Sequence, residues 1–204
     1  MEVVDRLKIE QTVDILRSLF KAKGYKFFEQ GDYNLNLIGV RGDNIPDRFN
    51  DEMLVLFKVK GEWVLFNFPI TTYPGVYWLR SPMTKEGCAI MKEGQYSRAY
   101  QIGPHFNITA LVQTGNKVKV YRDNSKDSTI TLIEDSIIEG YFGINIHPVM
   151  DRDNNTIGQD SAGCQVLKNF EDFSILMSLV KKASSLYGNS FTYTLINKEE
   201  LCKV

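Results

Sequence analysis

Two hydrophobic periods divide this chain. From Val4 to Phe20 the apolar positions Val4, Leu7, Val13, Leu16, Leu19 and Phe20 fall roughly at helical spacing, and Gly24 stands where a helix would stop. That predicts one or two short helices in an N-terminal appendage, residues 1–30, packing on the rest of the chain or docking to a partner. Beyond Tyr33 the period shortens to two. Leu35 and Leu37, then residues 53–59 and 63–68, read as strands, with Lys60-Gly61-Glu62 as a hairpin turn. Residues 110–113 and 117–121 read as a second hairpin across Thr114-Gly115-Asn116, and residues 130–133, 141–146 and 191–196 as further strands. One strong helix interrupts them: Asn169 caps it, Phe170, Phe173, Leu176, Met177 and Val180 form its buried stripe, and Tyr187-Gly188 ends it. The expected fold is α+β and β-rich, six or more strands in packed sheets or a partly closed barrel, with residues 31–204 as one domain.

Composition narrows the function classes. A 43% hydrophobic content over 204 residues is enough for a sizeable core. A formal net charge of −1 gives no basic stripe, so neither nucleic acid nor an anionic membrane surface is expected as a partner. The opening Met-Glu-Val-Val-Asp-Arg lacks the basic start and apolar run of an export signal, and no stretch reaches the roughly 18 apolar residues of a membrane span. Cys88, Cys164 and Cys202 are an odd, widely spaced set, read as free thiols; with two histidines and no His-Glu-x-x-His pattern, no metal or other cofactor is expected.

The candidate chemistry lies in Gly143-Ile144-Asn145-Ile146-His147 and Ser161-Ala162-Gly163-Cys164. A thiol is a strong nucleophile as thiolate, and an imidazole is the usual partner that takes its proton. Small residues before the sulfur let a substrate carbonyl approach the backbone, where the Gly163 and Cys164 N–H groups are candidates for an oxyanion hole. Pro148 keeps His147 extended, which aims its ring from a strand end. Each residue also has a plainer reading: a buried cysteine acting as a small hydrophobe, a strand-end histidine with satisfied hydrogen bonds. Ser161 either contacts substrate or shapes the turn. Asn145 shares a strand face with His147 and either lines the cleft or faces solvent. Tyr96 and Arg98, with Tyr100, are candidates for holding a substrate carboxylate, or else belong to a surface strand. His105, after Ile102-Gly103-Pro104, is a candidate second cleft histidine. Trp63 and Trp78 read as core.

The order histidine, sixteen intervening residues, Ser-x-Gly-Cys resembles the active-site signature of the L,D-transpeptidase catalytic domain. Thr71-Thr72-Tyr73-Pro74-Gly75-Val76-Tyr77 is similar to that family's Thr-Pro-Gly-aromatic stretch, and Asn169-Phe170-Glu171-Asp172-Phe173 to the acidic helix start after its cysteine. From about Tyr33 to Ile196 the chain also looks like phage-associated proteins, through Tyr-Asn-Leu-Asn-Leu-Ile-Gly-Val-Arg, Gly-Ile-Asn-Ile-His and Ser-Ala-Gly-Cys-Gln-Val. The resemblance implies a mixed-sheet, partly closed β-sandwich with one long helix after the cysteine. It implies Cys164 as nucleophile and His147 as general base, acting on peptidoglycan stem peptides through a thioester. A phage-encoded hydrolase is the leading expectation, held in the host cytoplasm until lysis or carried with virion proteins. Two departures leave alternatives open: Ala162 replaces the family's second histidine, and Val166 replaces its arginine. A virion structural or wall-binding protein without turnover, and a transpeptidase using an amine acceptor, both remain compatible with the sequence.

Overall fold

In the computed structural model, residues 6–150 and 156–201 are described; Val4 and Cys202 lie outside them. The chain runs α1 (Arg6–Lys23), β1 (Asn36–Arg41), β2 (Asp51–Val59), β3 (Glu62–Thr71), α2 (Val76–Arg80), β4 (Cys88–Met91), β5 (Gly94–His105), β6 (Ile108–Val112) and β7 (Val118–Asp123). After a short 3-10 turn come β8 (Ile138–Gly140), β9 (Ile146–Pro148), β10 (Gln165–Leu167), α3 (Phe170–Tyr187), β11 (Phe191–Asn197) and α4 (Lys198–Leu201). The fold is α+β and β-rich. Eight strands close into a barrel in the order β1-β11-β5-β6-β9-β10-β3-β2, so closure is complete where the sequence predicted it to be partial. A separate sheet, β4-β7-β8, packs beside it. Among the described residues no helix is long and apolar enough to cross a membrane.

β2 explains its own unbroken apolar run, because both of its faces are covered. Met53, Val55 and Phe57 join the main core, into which α3 lays Phe173, Leu176, Met177, Val180 and Ala183. Leu54 and Leu56 face the other way, toward α1, whose Val13, Leu16, Leu19 and Phe20 also cover Ile38, Val40 and Ile196. Burying four such side chains stabilises by roughly 1.5–3 kcal/mol each. The N-terminal segment is one 18-residue helix where one or two short ones were expected, and it packs on the outer face of the barrel; Leu7 of the expected stripe is 70% exposed. At the β2–β3 turn Lys60 (φ 52°) and Gly61 (φ 85°) are both left-handed, the pattern of a type I′ hairpin.

The second expected hairpin does not form. β6 pairs with β5 and β9 in the barrel, and β7 pairs with β4 and β8 in the other sheet. The connection is tied to β5 instead: Gly115 N–H donates to Ala99 O, Asn116 N–H to Arg98 O and the Asn116 amide to Ser97 O. Side chains also displace two expected strands. Gln113 Oε1 takes the N–H groups of Phe142 and Gly143, so the chain pairs only from Ile146 onward. Asp123 Oδ2 takes the Thr131 N–H, and Ile130 and Leu132 pack on Ile90 and Tyr121 without joining a ladder.

Candidate active site

β9 and β10 run parallel, with Gln165 opposite Ile146 and Val166 opposite His147, and the Gln165 N–H donates to Asn145 O at 2.9 Å. Side chains alternate along both strands. Ile146 enters the main core and Gln165 accepts from the buried Tyr193 hydroxyl, so Asn145, His147 and Cys164 lie on the opposite face. That face borders a cavity of about 470 Å³ whose lining includes Cys164, His147, His105, Trp78, Cys88 and Phe142. Nucleophile and base candidates thus share one strand pair and one cavity.

The loop carrying the thiol is pinned from both sides. Gly75 N–H donates to Ser161 O at 2.8 Å, and a Cβ at Gly75 would strike the Gly158 carbonyl, which gives the Pro74-Gly75 stretch a supporting role. Ser161 Oγ donates to Cys164 O at 2.8 Å and accepts the Gly163 N–H at 3.2 Å. Gly163 has φ +130°, and any Cβ there would collide with Ala89 O. Only glycine fits. Ser161, fully buried, is a turn-former and does not reach the cavity. Because it holds the Gly163 N–H, the expected two-amide oxyanion hole is reduced to the Cys164 N–H.

The thiol and the imidazole are both neutral at rest. Cys164 Sγ receives the Asn145 N–H at 3.4 Å and faces Gly143 O at 3.5 Å. Burial pushes its pKa up to about 11, against a smaller lowering by the Asn145 N–H. His147 is 2% exposed and pushed down to about 4, first by burial and then by His105, with the Pro148 hydrogen bond acting the other way. Its Nδ1 lies 2.9 Å from Pro148 O. A carbonyl only accepts, so Nδ1 carries the proton and Nε2 keeps its lone pair. Two neutral groups of this kind suit general-base chemistry, in which a thiol gives up its proton only as it attacks, and not a standing thiolate–imidazolium pair.

No family model, curated protein or solved structure matches this chain. What the site can do follows from its own geometry.

Asn145 proves to be a positioning residue rather than a wall of the cleft. Its Oδ1 accepts the Gln113 N–H at 2.9 Å and its Nδ2 lies 3.1 Å from His105 Nδ1. The His105 ring stacks on His147 with centroids 4.3 Å apart, so His105 does join the site. Tyr96 and Arg98 do not. The Tyr96 hydroxyl donates to Lys92 O within the core, Tyr100 is fully buried, and Arg98 bonds Ser190 beside a different cavity. Trp78 lines the cleft, its Nε1–H donating to Gln159 O; Trp63 is partly buried against the α1 core. Gln113, Phe106 and Tyr141 were missed as site residues. Phe106 sits at the β5–β6 turn with φ 49° and 88% exposure, features that no local sequence pattern announces. Among the described residues, no three His, Cys, Asp or Glu side chains converge as a metal site would need.

Proposed function

We propose that this chain is a cysteine-dependent acyl-transfer enzyme of the L,D-transpeptidase type, hydrolysing peptidoglycan stem peptides. The observation that carries the proposal is Cys164 and a neutral His147 on one face of the β9–β10 pair, opening on one cavity. In this mechanism Sγ attacks the carbonyl carbon while its proton passes to His147 Nε2, forming a C–S bond and an oxyanion. Collapse breaks the C–N bond, and the amine leaves with the proton from His147. Water then adds to the thioester, His147 takes its proton, and the thiol is regenerated. The resemblance in sequence supports the substrate class, and the cavity size suits a short peptide segment.

One observation favours a second reading, a virion or wall-binding protein without turnover: Ala162 and Val166 leave the cleft without the family's second histidine and arginine, and Val166 is fully buried. Incubation with purified muropeptides separates the two. The proposal expects fragments carrying a new amine and a new carboxylate, formed by the wild-type chain and absent with Cys164→Ala; intact muropeptides after prolonged incubation favour the second reading. A product carrying an added amine acceptor, in place of water, would make the enzyme a transpeptidase.

A further inference from the structure

We infer that His105 is the oxyanion donor of this site, its Nε2–H taking the place of the Gly163 N–H that Ser161 withdraws. The inference builds on the acyl-transfer reading above and assigns a group to it. A chain of hydrogen bonds, each with only one possible direction, fixes the proton. The Gln113 backbone N–H can only donate, so the Asn145 atom facing it is the carbonyl oxygen. The other end of that amide is then the NH₂ group, which donates to His105 Nδ1. Nδ1 is therefore an acceptor, and a neutral His105 carries its proton on Nε2. That Nε2 is buried and has no hydrogen-bond partner among the described residues. A buried donor without an acceptor costs free energy, and a substrate oxygen reaching it from the cavity that His105 lines with Cys164 would remove that cost.

Position supports the assignment. The His105 ring lies between His147, stacked at 4.3 Å, and Phe106, edge-on at 4.7 Å, so its direction is set before substrate arrives. Asn145 links it to the nucleophile as well, since the same residue gives its backbone N–H to Cys164 Sγ. Burial lowers the His105 pKa, which keeps the ring neutral. With Nδ1 engaged and Nε2 protonated, His105 has no lone pair to offer the cleft. It is a donor, not a second base replacing the histidine absent at Ala162.

During attack the carbonyl π pair moves onto oxygen as C–S forms, and His105 Nε2–H hydrogen-bonds that oxygen without surrendering its proton. When C=O re-forms and C–N breaks, the hydrogen bond relaxes. The same donor serves the tetrahedral adduct of water with the thioester. Losing one such donor typically costs about 10²–10³ in kcat.

Two histidines in the chain make the test direct. Long-range ¹H–¹⁵N spectra of the protein at neutral pH are expected to show His105 protonated at Nε2 and His147 at Nδ1. A proton on His105 Nδ1 overturns the inference whatever the activity. In muropeptide cleavage, and in acylation of Cys164 by 4-nitrophenyl acetate, His105→Phe keeps the ring contacts and is expected to lose about 10²–10³ in kcat with KM within about threefold. His105→Gln restores an N–H donor and should recover to within about tenfold of wild type. Asn145→Asp replaces the amide donor by an acceptor, so the His105 proton should move to Nδ1 in the spectra while activity falls toward that of His105→Phe. If wild type turns over and His105→Phe equals it, the His105 role alone fails. If wild type neither cleaves muropeptides nor is acylated, the acyl-transfer reading fails and takes the His105 role with it. Should His105→Phe not fold, the spectra and the Gln variant still decide.

Discussion

Two buried polar networks in this molecule behave in opposite ways. In the first, Arg41, 1% exposed, donates from Nε and Nη2 to the Thr72 hydroxyl and carbonyl and from Nη1 to Glu93, with its guanidinium 4.4 Å over the Tyr73 ring. Asp51 gathers the Gly42 N–H and both donors of Thr72. Each guanidinium nitrogen and both carboxylate oxygens of Asp51 are engaged. In the second, running from Gln113 through Asn145 to His105, with His147 and Cys164 beside it, two ring nitrogens are left over. Among the described residues His105 Nε2 has no hydrogen-bond partner and His147 Nε2 makes no hydrogen bond. A closed network fixes strands; an open one holds directed groups ready for a ligand. The contrast separates Arg41, a scaffold residue, from the histidines, although both sites are buried and polar.

The sharpest way to break this comparison is Cys164→Ala, which should reduce muropeptide cleavage to background and leave the melting temperature within a few degrees of wild type. His147→Ala should lower kcat by about 10²–10⁴, the cost of losing a general base; a change under threefold would count against it. Arg41→Ala should act on stability instead, by about 3–5 kcal/mol in denaturant unfolding, because it takes the cationic donor away from Glu93 Oε1 and from the buried Thr72 carbonyl. If Arg41→Ala left stability intact and removed activity, the division between scaffold and site would be mistaken.

Acid sharpens the same division. His147 titrates near 4 in the folded chain and near 6.5 unfolded, so the unfolded state binds its proton first as pH falls. Stability present above about 6.5 should decline progressively down to about pH 4, by at most about 3 kcal/mol, and His147→Gln should flatten that limb. Asp51 has the opposite sign: burial raises its pKa, so the folded state takes up that proton before the unfolded state does, and acidification favours folding at this one group. The smallest effect belongs to Ser161→Ala. It removes two turn hydrogen bonds, at about 1–3 kcal/mol in unfolding, and keeps activity within about tenfold; a much larger loss of kcat would restore Ser161 as a substrate contact.

Much of the scaffold was legible in the residues. The α3 stripe and its end at Gly188, the Lys60-Gly61 turn and the β2–β3 pair follow from periodicity and positive-φ positions. That His147 and Cys164 line one cavity was expected from the histidine-to-cysteine motif, not from any hydrophobic period. What escaped was decided by side chains acting at a distance. Nothing in the local pattern says that Gln113 will capture two N–H groups of a neighbouring loop, or that Gly115 will be tied to β5. Tyr96 and Arg98 were grouped with the site because their stretch looks like a ligand surface. They lie nine and seven positions before His105 on the same strand, and Arg98 lines a different cavity beside Ser190. The two-amide oxyanion hole failed for a subtler reason: the serine that marks the motif is itself the acceptor of one amide.

The central claim is that Cys164 forms a thioester through His147. Intact-protein and peptide mass spectrometry on chain quenched in acid during muropeptide turnover tests it most directly. The account predicts an acyl adduct of stem-peptide mass on the Cys164 peptide, absent from Cys88 and from Cys164→Ala, and diminished in His147→Ala. An unmodified Cys164 throughout turnover, or an adduct formed equally well without His147, would contradict it.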